Sequence, residues 1–365
     1  HRDLHSFPTR RSSDLDLQLI NTSTSNVSNT STILFSGSAT QNIVKYCQIQ
    51  GSGSHSESGI ILFSESSGTG NDNNILESNS ISGHGTQRPI NAIYAASEGS
   101  ANGNNKILKN QIFNILNPST SSTCVHLSVG NESWSIEENS FYESTPLSPV
   151  SAANYSIIRI ESPGGDNFRI NGNYIGGSSP NCSDTLRKRP THKNRFSGIY
   201  VDAISASIQN NTIKNISWAD SLTSDWVAIR IISGKIRVGD SVGNTIGSAT
   251  GNSSIFLTYK NTSSLGRSYG IYSSSTDSVF ISNNVIGSIT ASHLDQRGHN
   301  LYGIYRDDVW DGYTVVSKNR IGSETSINSL WVSSTVSGGE TDDQKVVAVY
   351  RSEEHTSELQ SPNTI

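Results

Sequence analysis

The sequence predicts an all-β solenoid built from stacked, roughly equivalent coils. A six-residue pattern of apolar, x, x, Asn, x, apolar recurs along the chain, and its successive Asn positions lie 29 to 40 residues apart. Short runs that alternate apolar and polar residues precede the copies, and no segment sustains helical periodicity. A fixed pattern at such a period indicates repeats that stack and share one core. The Asn positions are Asn79, Asn110, Asn139, Asn173, Asn211, Asn244, Asn284 and Asn319, of which Asn244, matched only by Ile246 after it, is a weaker copy.

Each Asn is expected to form a bend, because its short amide tolerates left-handed backbone angles and can bond to nearby backbone groups. In stacked coils the amides would also bond to their counterparts above and below, which makes a ladder. The apolar residues three before and two after each Asn, such as Ile107 and Ile112 around Asn110, would point inward. Cys47 takes the Asn position in an earlier variant of the motif, and we expect it to be buried.

A second strand is predicted before the Asn motifs, in runs such as Gly198-Ile199-Tyr200-Val201. Its inward positions are Ile93, Val125, Ile158, Ile199, Ile229, Ile271 and Ile304. The next residues would face solvent as a stripe of Tyr94, His126, Arg159, Tyr200, Arg230, Tyr272 and Tyr305. At a strand spacing of about 4.8 Å, this stripe suits an extended polysaccharide that contacts aromatic rings and guanidinium groups. The alternative is that Tyr and Arg simply suit exposed strands.

The Asn motifs, the Gly-Ile-x-apolar runs and endings such as Asn173-Tyr174-Ile175-Gly176 resemble the parallel β-helix repeats of the pectate-lyase-like superfamily. The resemblance implies a right-handed single-stranded parallel β-helix of about nine coils over residues 33–350, with long loops, notably 180–197. It is closest to repeats in large secreted or surface bacterial proteins, which implies an extracellular or cell-surface location. An antiparallel β-sandwich array would explain the alternation but not the recurrent Asn.

The two ends of the chain read as translated sequencing adapters. Residues 5–15 are HSFPTRRSSDL and residues 351–361 are RSEEHTSELQS. We therefore expect 1–15 and 351–365 not to be native, and 16–32 to be a polar lead-in or an incomplete first coil. The native part would be a fragment that lacks its neighbouring domains.

Composition excludes several classes of protein. A formal net charge of −5 with 16% charged residues argues against a nucleic-acid partner. No apolar run reaches the length of a membrane span. The three cysteines, Cys47, Cys124 and Cys182, are too few and too scattered for a disulfide framework or a metal site. We predict no cofactor, with calcium expected only if the chain is a lyase.

A candidate catalytic group lies beside the stripe. Glu161 and Asp202 are expected on adjacent coils, next to Arg159 and, one coil further, Arg230. A close carboxylate pair suits a retaining glycosidase or a calcium site. In a lyase, one of the arginines would act as the base. The alternative is two solvated acids balanced by two arginines.

Three other motifs have both a functional and a plain interpretation. The basic insertion 180–196 contains KRPTHK, which resembles the Arg-x-Pro-x-x-Arg signature of pectate lyases with lysine in place of both arginines; it would otherwise be a solvated basic loop. Gly83-His84-Gly85 copies a short polygalacturonase motif without its companions. Segment 306–313, with Asp307, Asp308, Asp311 and Trp310, would coordinate calcium, grip a sugar or form an ordinary turn.

Two functional hypotheses follow. The first is a non-catalytic, adhesin-like extracellular solenoid that spaces other domains and binds polysaccharide or cell-surface glycan along the stripe. The second is a polysaccharide lyase or glycoside hydrolase that acts on an acidic polymer, with Glu161, Asp202 and Arg159 or Arg230 at its centre.

Overall fold

The computed structural model describes residues 17–64, 68–260, 265–294, 298–307, 312–334 and 344–352. Within these ranges the chain is almost entirely β, and every ladder between its strands is parallel. The predicted all-β parallel solenoid is therefore confirmed. The alternative fold, an antiparallel β-sandwich array, is wrong. Apart from the strands, only the short 3₁₀ turn Pro180–Cys182 is helical in the described part of the chain.

Each coil passes through three main ribbons of strands. The first ribbon consists of Ile33–Phe35, Ile61–Phe63, Asn91–Ala95, Ser122–Leu127, Ala153–Ser162, Asn194–Gln209, Trp226–Val238, Gly266–Ser273, His299–Arg306 and Lys345–Arg351. The second, before the Asn bend, consists of Ile43–Lys45, Ile75–Glu77, Lys106–Leu108, Ser135–Glu137, Phe168–Asn171, the ends of Asn194–Gln209 and Trp226–Val238, Val279–Ser282 and Thr314–Ser317. The third, after the bend, consists of Leu17–Ile20, Cys47–Gly51, Ser80–Gly83, Gln111–Phe113, Ser140–Tyr142, Tyr174–Ile175, Thr212–Ile213, Thr245–Gly247, Val285–Gly287 and Arg320–Ile321.

The third ribbon has ten strands, one more than the predicted number of coils, because Leu17–Ile20 already pairs with Cys47–Gly51. A fourth ribbon lies only in the C-terminal half and was not predicted. It consists of Leu186–Lys188, Ile216–Asp220, Ile255–Tyr259, Ile289–His293 and Leu330–Ser334. A further small pair joins Asn102–Gly103 to Asn131–Glu132.

The eight motif asparagines form one column along the solenoid. In each of the seven steps from Asn79 to Asn319, the side-chain amide donates to the Oδ1 of the next Asn at 2.9 to 3.0 Å. The same Oδ1 accepts from the backbone N–H of the preceding Asn, as Asn139 does from Asn110 at 2.9 Å. The ladder begins at Cys47, whose N–H donates to Asn79 Oδ1 at 3.0 Å. Cys47 is buried, as expected.

The left-handed residue of the bend is the one before Cys47 and before seven of the eight ladder asparagines, not the Asn itself, so that part of the expectation was wrong; Gly243, before Asn244, has no positive φ. Positive φ occurs at Tyr46, Ser78, Lys109, Glu138, Gly172, Asn210, Asn283 and Lys318, and at none of the eight ladder asparagines. The ladder asparagines are selected for side-chain hydrogen bonds instead. The seven from Asn79 to Asn284 are buried, and Asn319 at the end of the ladder is partly buried. Their side chains satisfy backbone groups of neighbouring coils, which a left-handed conformation alone would not explain.

Two shorter ladders accompany the main one in the N-terminal half. At a second corner, side-chain hydrogen bonds of 2.8 and 3.0 Å link Asn42 to Asn74 and Asn74 to Asn105. Asn71 donates to Asn102 at 2.9 Å. In the following coil Trp134 replaces the second-corner Asn, and its Nε1 donates to the carbonyl of Asn102 at 2.8 Å.

The second corner persists in the first coils that lack its Asn and disappears at Ala206. Phe168, Ala206 and Ile236 occupy this register position in successive coils. The residue before it is left-handed at Ser133 and Asn167 but not at Ser205, where the chain runs straight. Asn194–Gln209 and Trp226–Val238 are therefore continuous strands that join the first two ribbons into one sheet.

The interior consists of apolar columns that follow these ladders. Ile93, Val125, Ile158, Ile199, Ile229, Ile271 and Ile304 are paired in this order and are at most 1% exposed. The motif residues Ile107 and Ile112 are also fully buried. Because each inward column is continuous, the outward columns beside it are fixed in the same register.

Replacing Asn139 with Ala should destabilise the protein by about 3 kcal/mol, since it leaves a buried backbone N–H of Asn110 and a buried carbonyl of Ile107 without their partners. Urea unfolding followed by circular dichroism measures the change. The control is Asn154→Ala at an exposed position, which should change stability by less than about 0.5 kcal/mol. Equal effects of the two substitutions would contradict a stabilising role for the ladder.

Candidate functional site

The predicted stripe forms one in-register column on the outside of the first ribbon. Successive strand pairs match Tyr94 with His126, His126 with Arg159, Arg159 with Tyr200, Tyr200 with Arg230, Arg230 with Tyr272 and Tyr272 with Tyr305. Tyr350 extends the column by one strand, next to Tyr305. We call these eight side chains the outer stripe. The seven from Tyr94 to Tyr305 face outward because each follows a buried inward residue of its strand, and Tyr350 shares their register.

Neighbours in the outer stripe contact one another. The Tyr94 and His126 rings meet edge to face, with centroids 5.2 Å apart. The Arg159 guanidinium lies 4.3 Å from the Tyr200 ring centroid, and that of Arg230 lies 4.8 Å from the Tyr272 centroid. These are cation–π distances, so the stripe is held together by its own contacts.

The C-terminal end of the stripe is a cluster of five tyrosines. Tyr272 stacks on Tyr305 at 5.5 Å, and Tyr305 stacks on Tyr350 at 4.9 Å. Beside them Tyr269 stacks on Tyr302 at 5.3 Å and meets Tyr305 edge to face at 5.1 Å. Sequence reasoning missed Tyr269 and Tyr302, although the repeated Tyr-Gly-Ile-Tyr of 269–272 and 302–305 signals them.

Stacking along the long axis determines which atoms a ligand can reach. Tyr272 lies between Arg230 and Tyr305, and Tyr305 lies between Tyr272 and Tyr350. Both ring faces are therefore covered, and the outward parts are ring edges, hydroxyl groups and guanidinium groups. A sugar would meet hydrogen-bonding groups here and could not stack on the faces of these two rings.

Glu161 and Asp202 are opposite each other on adjacent strands, as predicted. Glu161 accepts two hydrogen bonds from Arg159, at 2.7 and 2.9 Å, and its Oε2 lies 3.3 Å from His126 Nε2. The hydrogen bonds from His126 and Arg159 lower the pKa of Glu161 to about 2. Glu161 is thus held as an anion and is unsuited to donate a proton near neutral pH.

The other two members of the candidate catalytic group have different partners. Asp202 accepts a hydrogen bond from the Ser233 hydroxyl across a register shift between their strands. Arg230 approaches Asp225 at 3.5 Å. The structure therefore joins Arg159 and Glu161 into one group with His126, while Arg230 pairs with a carboxylate that was not predicted.

The basic insertion is only partly solvated. Arg187, Arg189, Lys193 and Arg195 are exposed. Lys188 is 2% exposed and forms a buried ion pair with Asp220. Its ammonium also donates to the carbonyls of His192 and Ala219 at 2.7 and 2.6 Å. The expectation of a wholly solvated loop is wrong for Lys188, because the strand Leu186–Lys188 turns this side chain inward.

Burial shifts the pKa of each member of this pair in the direction that favours its uncharged form. Burial lowers the pKa of Lys188, and the charge of Asp220 opposes that shift. Burial raises the pKa of Asp220, and Lys188 opposes it. Asp220 also accepts from the N–H of Asn194 at 3.1 Å and from the Ser224 hydroxyl. The pair fixes the insertion to the body of the solenoid.

The remaining motifs do not add to the outer stripe. His84 follows a strand of the third ribbon and lies 3.4 Å from Gln50 Oε1. Asp308, Trp310 and Asp311 lie outside the described residues, whereas Asp307 accepts from the Tyr272 hydroxyl at 2.5 Å. Within the described ranges, no three His, Cys, Asp or Glu side chains are grouped so that they would hold a metal ion. No helix among these residues has the length and apolar character needed to cross a membrane.

An open depression of about 290 Å³ lies at the N-terminal end of the outer stripe. Tyr94 and Leu62 form its apolar part, and Glu57, Glu98 and Ser128 contribute polar groups. Burial raises the pKa of Tyr94, so this phenol stays protonated as a hydrogen-bond donor.

Comparison with known proteins adds no family to this description. No protein-family model matches the chain, and neither the curated proteins nor the solved structures yield a match.

Replacing Glu161 with Gln should flatten the acid dependence of stability. The folded-state pKa of Glu161 lies below its usual value, so its contribution is complete above about pH 4.5 and is lost as the pH falls toward about 2. Urea midpoints measured across this range should fall less in Glu161→Gln than in the parent. Glu132→Gln, at an exposed position, should follow the parent curve; a parent-like curve for Glu161→Gln would refute the assigned ion pair.

Replacing Lys188 with Met should destabilise the protein by about 3 to 5 kcal/mol, because it leaves the Asp220 carboxylate buried without its cation. Lys193→Met removes the same charge from an exposed position of the insertion and should cost less than about 0.5 kcal/mol. Urea unfolding compares the two. Similar costs would show that Lys188 is solvated in solution.

Proposed function

We propose that this chain is a segment of an extracellular β-helix repeat protein with a structural, adhesin-like role, and that its outer stripe contacts an acidic glycan. The observation that carries the proposal is the unbroken column of eight tyrosine, arginine and histidine side chains in one register. An extended polymer can lie along such a column and make the same kind of contact in successive coils.

The structural role is supported by how the coils are joined. Seven hydrogen bonds between side-chain amides link the motif asparagines from Asn79 to Asn319, and parallel strand pairing connects each coil to the next. Loops of different length leave this frame without interrupting it, as at the insertion that contains Lys188. A solenoid of this kind holds its two ends at a set distance, which is what a spacer between other domains requires.

The glycan contact is supported by the groups that the stripe presents. Arg159 and Arg230 place guanidinium groups among phenol hydroxyls. Guanidinium groups bind carboxylates and sulfates through bidentate hydrogen bonds. Glu161 and Asp225 balance part of this charge. An acidic sugar that bonds to the outward N–H groups would therefore be held by several weak contacts that repeat along the polymer, and avidity would come from length.

A polysaccharide lyase or glycoside hydrolase is the less well-supported proposal. A retaining glycosidase needs one carboxyl group that carries a proton at working pH, usually because its pKa is raised. The low pKa of Glu161 and its bidentate hydrogen bonds with Arg159 favour a permanent ion pair instead. Release of unsaturated or reducing sugar ends from the polymers below would reverse this preference.

The test is affinity electrophoresis of the full chain through gels that contain polygalacturonate, alginate, dextran sulfate or uncharged dextran. We expect retardation by one or more of the acidic polymers and none by dextran. Arg230→Gln should weaken it about tenfold, the size expected for the loss of a charged hydrogen bond. Arg237→Gln is the matched control, because Arg237 also stacks on a ring, that of Phe280, but lies on the second ribbon and not in the stripe.

Migration unchanged by every polymer would refute glycan binding. Equal weakening by Arg230→Gln and Arg237→Gln would show that retardation reflects net charge and not the stripe. The same samples, assayed for unsaturated and reducing ends, decide whether the chain cleaves what it binds.

A further inference from the structure

The fourth ribbon carries a second outward column with a different composition. Strand pairing aligns Arg187, Ser217, Phe256, Thr290 and Trp331 in successive coils. We call these five residues the lateral column. The residues on either side of each position on its strand point inward, and those beside Phe256, Ile255 and Leu257, are fully buried. The column therefore stands on a rigid, packed strand ribbon.

Large and small side chains alternate along the lateral column. Phe256 is 37% exposed and Trp331 is 44% exposed, while Thr290 between them is 9% exposed. The Thr290 hydroxyl is hydrogen-bonded to the Ser253 hydroxyl at 2.9 Å. Its small side chain separates the two rings along the column. Two strand steps separate Phe256 from Trp331, which corresponds to about 10 Å.

This alternation separates the two aromatic rings of the lateral column, which keep more than a third of their surface exposed. Neither Phe256 nor Trp331 is paired with another aromatic ring in the part of the chain that the structure describes. In the outer stripe, by contrast, a large side chain in every coil covers the next. Exposed aromatic rings that are not stacked on each other are suited to stacking against the apolar face of a sugar ring.

The column ends in an exposed cation. Arg187 lies two strand steps before Phe256, with only Ser217 between them. Its side chain makes no ion pair with a carboxylate of the described residues, unlike Lys188 beside it. The sequence of groups along the axis is thus guanidinium, ring, ring, at equal steps of about 10 Å.

We propose that the lateral column is a binding site for an extended acidic polysaccharide, in which Phe256 and Trp331 stack on sugar rings and Arg187 binds the carboxylate of a uronic acid. In an extended polymer whose successive sugars turn over, the same ring face recurs at every second sugar, and this repeat is comparable to two strand steps. A two-sugar repeat therefore places equivalent faces over Phe256 and Trp331 together. The site deepens the proposed glycan-binding role but lies on a different ribbon from the outer stripe.

Tryptophan fluorescence tests the site directly. Trp331 is exposed, whereas Trp134, Trp218 and Trp226 are at most 1% exposed. Trp310 lies outside the described residues and is replaced by Phe in every sample. Oligomers of polymannuronate, sulfated carrageenan and cellulose serve as probes. We expect saturable quenching by the mannuronate oligomers, with weaker binding of the cellulose oligomers, since these lack the acid group.

Variants separate the roles. Phe256→Ala should weaken binding of the mannuronate oligomers about tenfold, and Phe256→Tyr should retain it. Arg187→Gln should weaken binding of the mannuronate oligomers but not of the cellulose oligomers. Val242→Ala shortens another exposed apolar side chain, away from the fourth ribbon, and should leave affinity unchanged. Unfolding midpoints equal to the parent's show that each variant is folded.

Four outcomes would overturn the inference: no saturable quenching, tighter binding of the sulfated oligomers than of the uronate, an unchanged affinity in Phe256→Ala, or equal loss in Val242→Ala. Arg230→Gln distinguishes this site from the outer stripe. If gel retardation is lost in Arg230→Gln and kept in Phe256→Ala, the proposed function stands and the lateral site fails. If both substitutions leave retardation unchanged, both proposals fail.

Discussion

The buried asparagine ladder is the interaction on which the rest of the structure depends. Each ladder amide from Asn79 to Asn284 is hydrogen-bonded both to the next Asn side chain and to a carbonyl of the preceding coil, as Asn139 is to Asn173 and to Ile107. These bonds form only when neighbouring coils are in one register, and leaving them unmade inside the core is costly. The ladder therefore fixes the register of every ribbon, and with it the alignment of the outer stripe and the lateral column. A shift of one residue would turn the outward tyrosines into the core and the isoleucines into solvent.

The sequence allowed the parts that repeat to be predicted and not the parts that vary. The Asn column, the inward isoleucines and the outward positions from Tyr94 to Tyr305 follow from a pattern that recurs in every coil. The fourth ribbon escaped because its strands begin at uneven distances after the bend: Ile216 and Ile289 each lie five residues after the ladder Asn of their coil, Ile255 and Leu330 each eleven. The second-corner ladder was not predicted, although the paired asparagines, Asn71 with Asn74 and Asn102 with Asn105, signal it. The burial of Lys188 has no such signal, because it depends on Asp220, which belongs to the following coil.

The two outward columns show how one strand spacing produces two kinds of surface. Strands lie about 4.8 Å apart, which is close to the stacking distance of flat groups. When every coil contributes a ring or a guanidinium group, as from Arg230 to Tyr350, the groups stack on one another and leave only their edges to solvent. When every second coil contributes a small residue, as Thr290 does between Phe256 and Trp331, the rings are too far apart to stack on each other and both stay partly exposed. The first arrangement favours rigidity and hydrogen bonding, and the second favours sugar stacking.

Three acidic side chains also hold the structure together, each through an ion pair with a neighbouring cation. Glu143 is buried, accepts the N–H groups of Ile115 and Leu116 at 2.9 Å each and is paired with Arg88. Asp220 is paired with Lys188, and Glu161 with Arg159. Burial raises the pKa of Glu143 while Arg88 opposes the shift, so this charge is also held in place by a neighbour. Each of these acids is engaged in holding coils or insertions together, whereas Arg187 and the other outward cations of the insertion remain exposed.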